Sequence, residues 1–144
     1  MAILGTISIT VFFTAQATVR DGKRLAEVSS LARSIEITKD YQTKKYIYNA
    51  QNFTKDYPNG TPKDPLNSAN NREYCVSVNT ANSTPPNPCN TNWEADCPDS
   101  CNGASYITLN QALADFANGN VLSWNICASM ERTTIPYCEK SLTK

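Results

Sequence analysis

The sequence contains no histidine, and that absence removes most of the usual routes to catalysis at neutral pH. No imidazole is available to activate a nucleophile, relay a proton or ligate zinc. No Ser, Cys or Thr stands beside an evident base, and the carboxylates are scattered. No phosphate-binding loop is built from the 5 glycines. The chain therefore reads as a non-enzyme that carries no cofactor. Cysteine is missing from the first 74 residues, charge from the first 19, and internal repeats throughout. Formal net charge is zero, which hides an asymmetry: residues 1–75 hold ten basic and seven acidic side chains, and residues 76–144 hold three and six. No basic patch interleaved with aromatics emerges, which argues against a dedicated nucleic-acid site.

What is present begins with the uncharged stretch from Met1 to Val19. It is largely apolar from Ile3 to Phe13 but admits Thr, Ser and Gln, and it sits near the lower length limit for crossing a bilayer. It has no basic start of the kind a signal peptide needs. It reads as the tail of a longer apolar helix. At Arg20 the chain turns charged, yet helical periodicity continues through Leu25, Val28, Leu31 and Ile35, one stripe that suits a head packed on one side. One long helix is expected over residues 1–45. Gly22 is tolerated inside it, and Lys23–Glu27 and Asp40–Lys44 are spaced four apart to pair on its surface.

Residues 46–144 read as a globular head completing a single domain. Pro58-Asn59-Gly60 signals a turn and 54–71 a loop. Glu73–Val78 alternates as a strand, Leu109–Asn118 reads as a short helix closed by Gly119, and Val121–Met130 with Ile135–Cys138 as neighbouring strands. Residues 79–105 form a long irregular excursion. Six cysteines (Cys75, Cys89, Cys97, Cys101, Cys127, Cys138) indicate a disulfide framework in an oxidising compartment. Zinc is the competing reading of Cys97-Pro-Asp-Ser-Cys101, but no second short-spaced pair supports it. Pairing stays open among the alternatives six cysteines permit, with Cys127–Cys138 the one local candidate, across a turn near Pro136. Glu94, Asp96 and Asp99 read as a solvated part of the excursion, Trp93 and Tyr106 as packing against its disulfides, and Trp124 and Ile126 as core. Asn52, Asn59 and Asn82 each open a glycosylation sequon. The expected fold class is α+β: a long N-terminal α-helix packed on a small antiparallel β-sheet head with a disulfide-rich loop region.

Residues 2–41, AILGTISITVFFTAQATVRDGKRLAEVSSLARSIEITKDY, resemble the N-terminal helix of type IV pilins and pseudopilins, whose apolar run is followed by a basic R-D-x-x-R-L element. Arg20, Asp21, Arg24 and Leu25 match that element. Pro62-Lys63-Asp64-Pro65 is similar to the P-x-D-P loop of pilin-like heads, and Trp124–Glu131 with Tyr137-Cys138 to their disulfide-closed end. The likeness covers residues 2–78 and, in pattern, 121–139; residues 79–120 read as an insertion. The family's maturation site and the opening Phe-Thr-Leu-x-Glu do not occur here and would precede Ala2.

The resemblance implies a homo-oligomeric helical filament, with Ile3, Leu4, Ile7, Val11 and Phe12 in its core and Leu25, Val28, Leu31 and Ile35 seating the head. It implies as partners the inner-membrane pilus assembly machinery and a host or surface ligand. The expected location is the cell surface, after insertion in the cytoplasmic membrane before assembly. Related pseudopilins hold calcium, which makes Asp64, with Asn67, a calcium candidate, but this loop offers few of the six to eight oxygens calcium takes; no metal is expected, and Asp64 with Pro62 and Pro65 reads first as setting turns. The alternatives are a membrane-anchored or secreted monomeric binding or adhesion domain, and a minor pseudopilin of a secretion or competence system.

Overall fold

The first element is a helix, α1, over Ala2–Glu36. The structure, a computed structural model, describes residues 2–66, 74–93 and 96–142, and for residues 2–10 and Ala50 the backbone alone. The chain is α+β, with the N-terminal helix α1, antiparallel sheets and three disulfides. Helix α1 runs unbroken through Gly22, where an added Cβ would meet nothing within 4 Å.

The helix is shorter than its periodicity suggests, ending at Glu36 rather than near residue 45. Thr38 turns the chain, donating its N–H and its hydroxyl to the Ile35 carbonyl at 3.0 and 2.7 Å. A hairpin then replaces the expected last turns: β1 (Lys39–Asp40) pairs antiparallel with β2 (Lys45–Tyr46). Asp40 does not pair with Lys44 along a helix. Its carboxylate closes the hairpin by accepting the Gln42 N–H at 2.9 Å and the Thr43 hydroxyl at 2.6 Å, the local competition by which Asp favours turns over helices. Tyr46 N–H donates to the Val121 carbonyl and ties the hairpin to the head.

A second helix, α2 (Ala50–Asp56), precedes and overlaps the expected loop and starts at Asn49, whose side chain accepts the Asn52 N–H, an ordinary N-cap. The main sheet has the order β6–β3–β7–β8, all antiparallel, with β3 at Cys75–Asn79, β6 at Ile107–Thr108, β7 at Ser123–Ala128 and β8 at Tyr137–Lys140. Strand β8 starts two residues later than Ile135, which is exposed. Helix α3 (Leu109–Ala117) carries a capping box between Thr108 and Gln111, and Gly119 follows its end at φ +62°, the left-handed conformation glycine adopts without a Cβ penalty.

Val28, Leu31, Ala32 and Ile35 of α1 pack with Tyr46, Tyr74, Val76, Phe116, Trp124 and Ile126 into one core. Leu25 is not part of it: it is 43% exposed. The buried stripe of α1 instead continues toward the N-terminus through Arg24 and Asp21, positions that also keep the three-and-four spacing.

Truncation separates the two faces. Ile35→Ala removes a fully buried side chain and is expected to cost about 2–5 kcal/mol in urea unfolding. Leu25→Ala is expected to cost less than about 1 kcal/mol. Equal losses would show that Leu25 seats the head after all.

Candidate functional site

The junction of α1 with the head is built on charge. Arg24 is fully buried and its guanidinium is engaged on every side. Nε and Nη2 donate to the two carboxylate oxygens of Asp64, at 2.5 and 2.9 Å, in the bidentate geometry that favours arginine over lysine. Nη1 donates to Asp21 and to Glu131, both at 2.7 Å. Arg20 forks onto the same Glu131 through Nε and Nη2 at 2.8 and 2.6 Å. Asp21 in turn accepts the backbone N–H groups of Glu131 and Arg132 at 2.9 and 3.1 Å. Two guanidinium groups thus face three carboxylates from three separate stretches of chain. A third, that of Arg132, donates to the Thr18 hydroxyl at 3.1 Å.

The protonation of the network follows from its contacts. Burial alone would pull the Arg24 pKa down, but hydrogen bonds to Asp64, Glu131 and Asp21 outweigh it and leave the pKa raised. The hydrogen bonds from Arg20, helped by the one from Arg24, hold the Glu131 carboxyl at about 2.

Asp64 is therefore committed. Both of its oxygens take the Arg24 guanidinium, and Oδ1 also accepts the Leu66 N–H at 2.8 Å. A cation there would sit against a buried positive charge, so the calcium candidacy of Asp64 does not hold. Its proposed co-ligand Asn67 lies outside the described residues. Among the described residues, no cluster of three or more His, Cys, Asp or Glu side chains stands ready for a metal.

Around this network, tyrosines pin the borders of the helix seat. The Tyr74 hydroxyl donates to Glu27, and the Tyr46 hydroxyl to both oxygens of Glu36 at 3.1 and 3.0 Å. Burial, reinforced by these carboxylates, raises both phenol pKa values. Lys23 and Glu27 form a surface pair at 3.6 Å, of the kind that contributes only about 0.3–0.5 kcal/mol.

The N-terminal part of α1 is built differently. Val11, Phe12, Phe13 and Val19 are 62%, 59%, 62% and 72% exposed among the described residues. The side chains of Ile3, Leu4 and Ile7 lie outside the described residues. Among the described residues no helix is long and apolar enough to cross a membrane.

The excursion is held by two bonds, Cys75–Cys97 and Cys89–Cys101, and the third, Cys127–Cys138, joins directly opposed residues of β7 and β8. Strands β4 (Ser100–Cys101) and β5 (Ala104–Ser105) form a hairpin inside it. Its two turn residues, Asn102 and Gly103, both have positive φ, the requirement of the tight hairpin turn that Asn-Gly favours. The Tyr106 hydroxyl donates to the Asn87 carbonyl at 2.9 Å and accepts the Asn125 amide at 2.7 Å, and burial pushes its pKa up to about 12. Trp93 and Tyr106 are buried beside the disulfides, and Trp124 and Ile126 in the main core. Asp96 and Asp99 are exposed; Glu94 lies outside the described residues.

Comparison of the chain with protein-family models, with curated proteins and with solved structures finds no match.

Two outcomes test the network. Arg24→Ala leaves three carboxylates without their shared partner and is expected to cost about 3–5 kcal/mol in denaturant unfolding. Lys23→Ala, one residue away, is expected to change stability by less than about 0.5 kcal/mol. In acid, a carboxyl held at about 2 when folded contributes stability that is complete above its ordinary value of 4.5 and fades as the pH falls toward 2. A pH series of unfolding midpoints should show that loss for the natural chain and a shallower one for Glu131→Gln; parallel curves would remove Glu131 from the network's acid response.

Proposed function

We propose that the chain is a structural subunit of a type IV pilus or related filament. In this reading it polymerises through the N-terminal part of α1 and displays the head for adhesion, motility or uptake. The observation that carries the reading is the division of one helix into two surfaces. From Asp21 to Ile35 the inward stripe of α1 is buried against its own head, whereas Val11, Phe12, Phe13 and Val19 present apolar side chains that nothing among the described residues covers. A monomer gains nothing from large exposed apolar side chains, and a contiguous set of them marks a surface meant for something else.

Buried between neighbouring subunits, each such side chain contributes roughly 1.5–3 kcal/mol, so a polymer can hold without covalent links. The resemblance of Arg20, Asp21, Arg24 and Leu25 to the pilin R-D-x-x-R-L element supports the same reading. So does the job those residues do, since three of the four lock the helix to the head. A subunit pulled by its helix needs that joint. The disulfides suit assembly outside the reducing cytoplasm.

The test is electron microscopy of material sheared from the surface of the native cells, with mass spectrometry of its subunit. Thin filaments containing this polypeptide are expected, and Phe12→Asp is expected to abolish them while leaving the head folded. Recovery of monomer alone, bound to membrane or free, would replace the filament with an anchored binding domain.

A further inference from the structure

The main sheet comes apart at one edge. Strand β6 covers β3 only as far as Val76, which stands opposite Ile107. One residue before Ile107 the chain belongs instead to the β4–β5 hairpin, and the Tyr106 N–H donates to the Asp99 carbonyl at 3.4 Å. A cleft of about 410 Å³ opens there, bounded by Ser77–Asn79 of β3, by residues 103–105 and by the loop from Asn82 to Asn87. That volume lies in the range of pockets that take small molecules. Trp124, opposite Val78, spends its N–H on the Ser141 hydroxyl and its carbonyl on the Ser141 N–H, both on the β8 side. By the alternation of an antiparallel ladder, the Val78 N–H and carbonyl therefore point away from β7, to the edge that β6 has left.

The cleft is polar without being charged: among the described residues, no side chain that lines it carries a charge. Ser77 lines it at 3% exposure, and its hydroxyl has no hydrogen-bond partner among the described residues. A buried hydroxyl can donate once and accept twice, and leaving it unsatisfied is costly. Ser105 and Thr84 bring exposed hydroxyls to the rim, and half-buried Pro85 and Pro86 bring apolar faces. The walls are held in place by their own contacts. The Ser123 hydroxyl donates to the carbonyls of Asn82 and Thr84 at 3.2 and 2.6 Å. The Asn87 amide donates to the Asn102 carbonyl at 3.3 Å, the Asn102 amide to the Pro88 carbonyl at 3.1 Å, and Cys89–Cys101 closes the same stretch. A site fixed in this way loses little freedom on binding.

These features select a ligand by its chemistry. An ion finds no counter-charge in the cleft. A hydrocarbon leaves Ser77 and Val78 without partners. An extended peptide adding to the sheet needs a run of free edge, and β3 offers it only Val78. A sugar ring meets every requirement, because its hydroxyls donate and accept, it carries no charge, and its C–H faces can lie on proline. We propose that this cleft binds a neutral saccharide, with sugar hydroxyls on Ser77 Oγ and the Val78 backbone and a C–H face on Pro85 and Pro86. The proposal goes beyond the filament reading and does not rest on it: it gives the head a class of ligand.

The experiment applies the full, disulfide-bonded chain to an array of immobilised oligosaccharides: neutral ones of hexoses and N-acetylhexosamines, beside sialylated and sulfated ones. Binding to neutral members is expected. The neutral oligosaccharide held most tightly is then titrated, free, into isotope-labelled chain, and the amide signals of Ser77, Val78 and Ser105 are expected to shift. Ser77→Ala should weaken binding about three- to tenfold, the loss of one hydrogen bond. Ser105→Trp should abolish it by filling the cleft. Both variants keep the fold, since the first removes a hydroxyl that has no partner and the second changes an exposed side chain. Lys140→Ala, on the opposite edge strand β8, should bind as the natural chain does. No binding to neutral members, binding confined to acidic ones, shifts elsewhere in the chain, or an affinity that neither cleft variant moves overturns the proposal. The two readings fail separately: filaments that bind no saccharide keep the polymer and discard this site, whereas binding by a chain that never polymerises keeps the site and discards the polymer.

Discussion

A guanidinium with no exposure to water governs how the head sits on its helix. Taking an ion from water into a protein interior costs several kcal/mol. Arginine cannot escape that cost by losing its proton. The fold must therefore bring the counter-charges to Arg24, and they come from far apart in the chain: Asp21 one turn away, Asp64 from the loop after α2, Glu131 from the loop after β7. The geometry of all three stretches is set by one side chain. Asp21 adds a second role, since it also orients the turn that presents Glu131 by accepting two of that turn's backbone N–H groups. Cores of apolar side chains tolerate sliding by small amounts; a bidentate pair at hydrogen-bond distance does not.

Beyond that joint the seat of the helix is apolar in the middle and polar at its edges. Val28, Leu31 and Ile35 fill the centre, while Glu27 and Glu36 at the borders accept the hydroxyls of Tyr74 and Tyr46, whose rings belong to the core. Ser29 meets Tyr137 on the β8 side, and Ser30 meets Tyr57 on the α2 side. Tyrosine suits these places because one end of its side chain is apolar and the other needs a partner. The hydroxyl contacts fix the rotation of α1 about its own axis, which apolar burial alone leaves loose.

The α+β class, the helix, the short helix after Thr108 and the strand around Trp124 and Ile126 were legible because each rests on local signals: periodicity, a run of apolar residues, a terminal glycine. The helix boundary was not, because the stripe of Leu25, Val28, Leu31 and Ile35 carries no stop signal, and the hairpin that follows rests on the Asp40 turn together with the contact of Tyr46 with distant Val121. Leu25 illustrates a different limit. Apolar character marked it as a seat for the head, yet the seat at that height is ionic and falls on Arg24. The spacing of Asp21, Arg24, Val28 and Leu31 carried that signal, since charged residues there keep the buried period. The roles of Asp64 and Glu131 were invisible to local reading, lying 40 and 107 residues from their partner. The Asn102-Gly103 hairpin, by contrast, was written in the sequence and lost inside an excursion that reads as irregular.

The loop that holds Glu131 and Arg132 lies between Cys127 and Cys138, which are bonded to each other. The helix is thus fastened to a covalent ring. A tensile load on α1 carried by Arg20, Asp21 and the bond from Arg24 to Glu131 enters a closed loop of backbone, which cannot be drawn out and straightened as an open strand can. Force then has to break the ionic joint as a unit instead of peeling the head apart from its C-terminal strand.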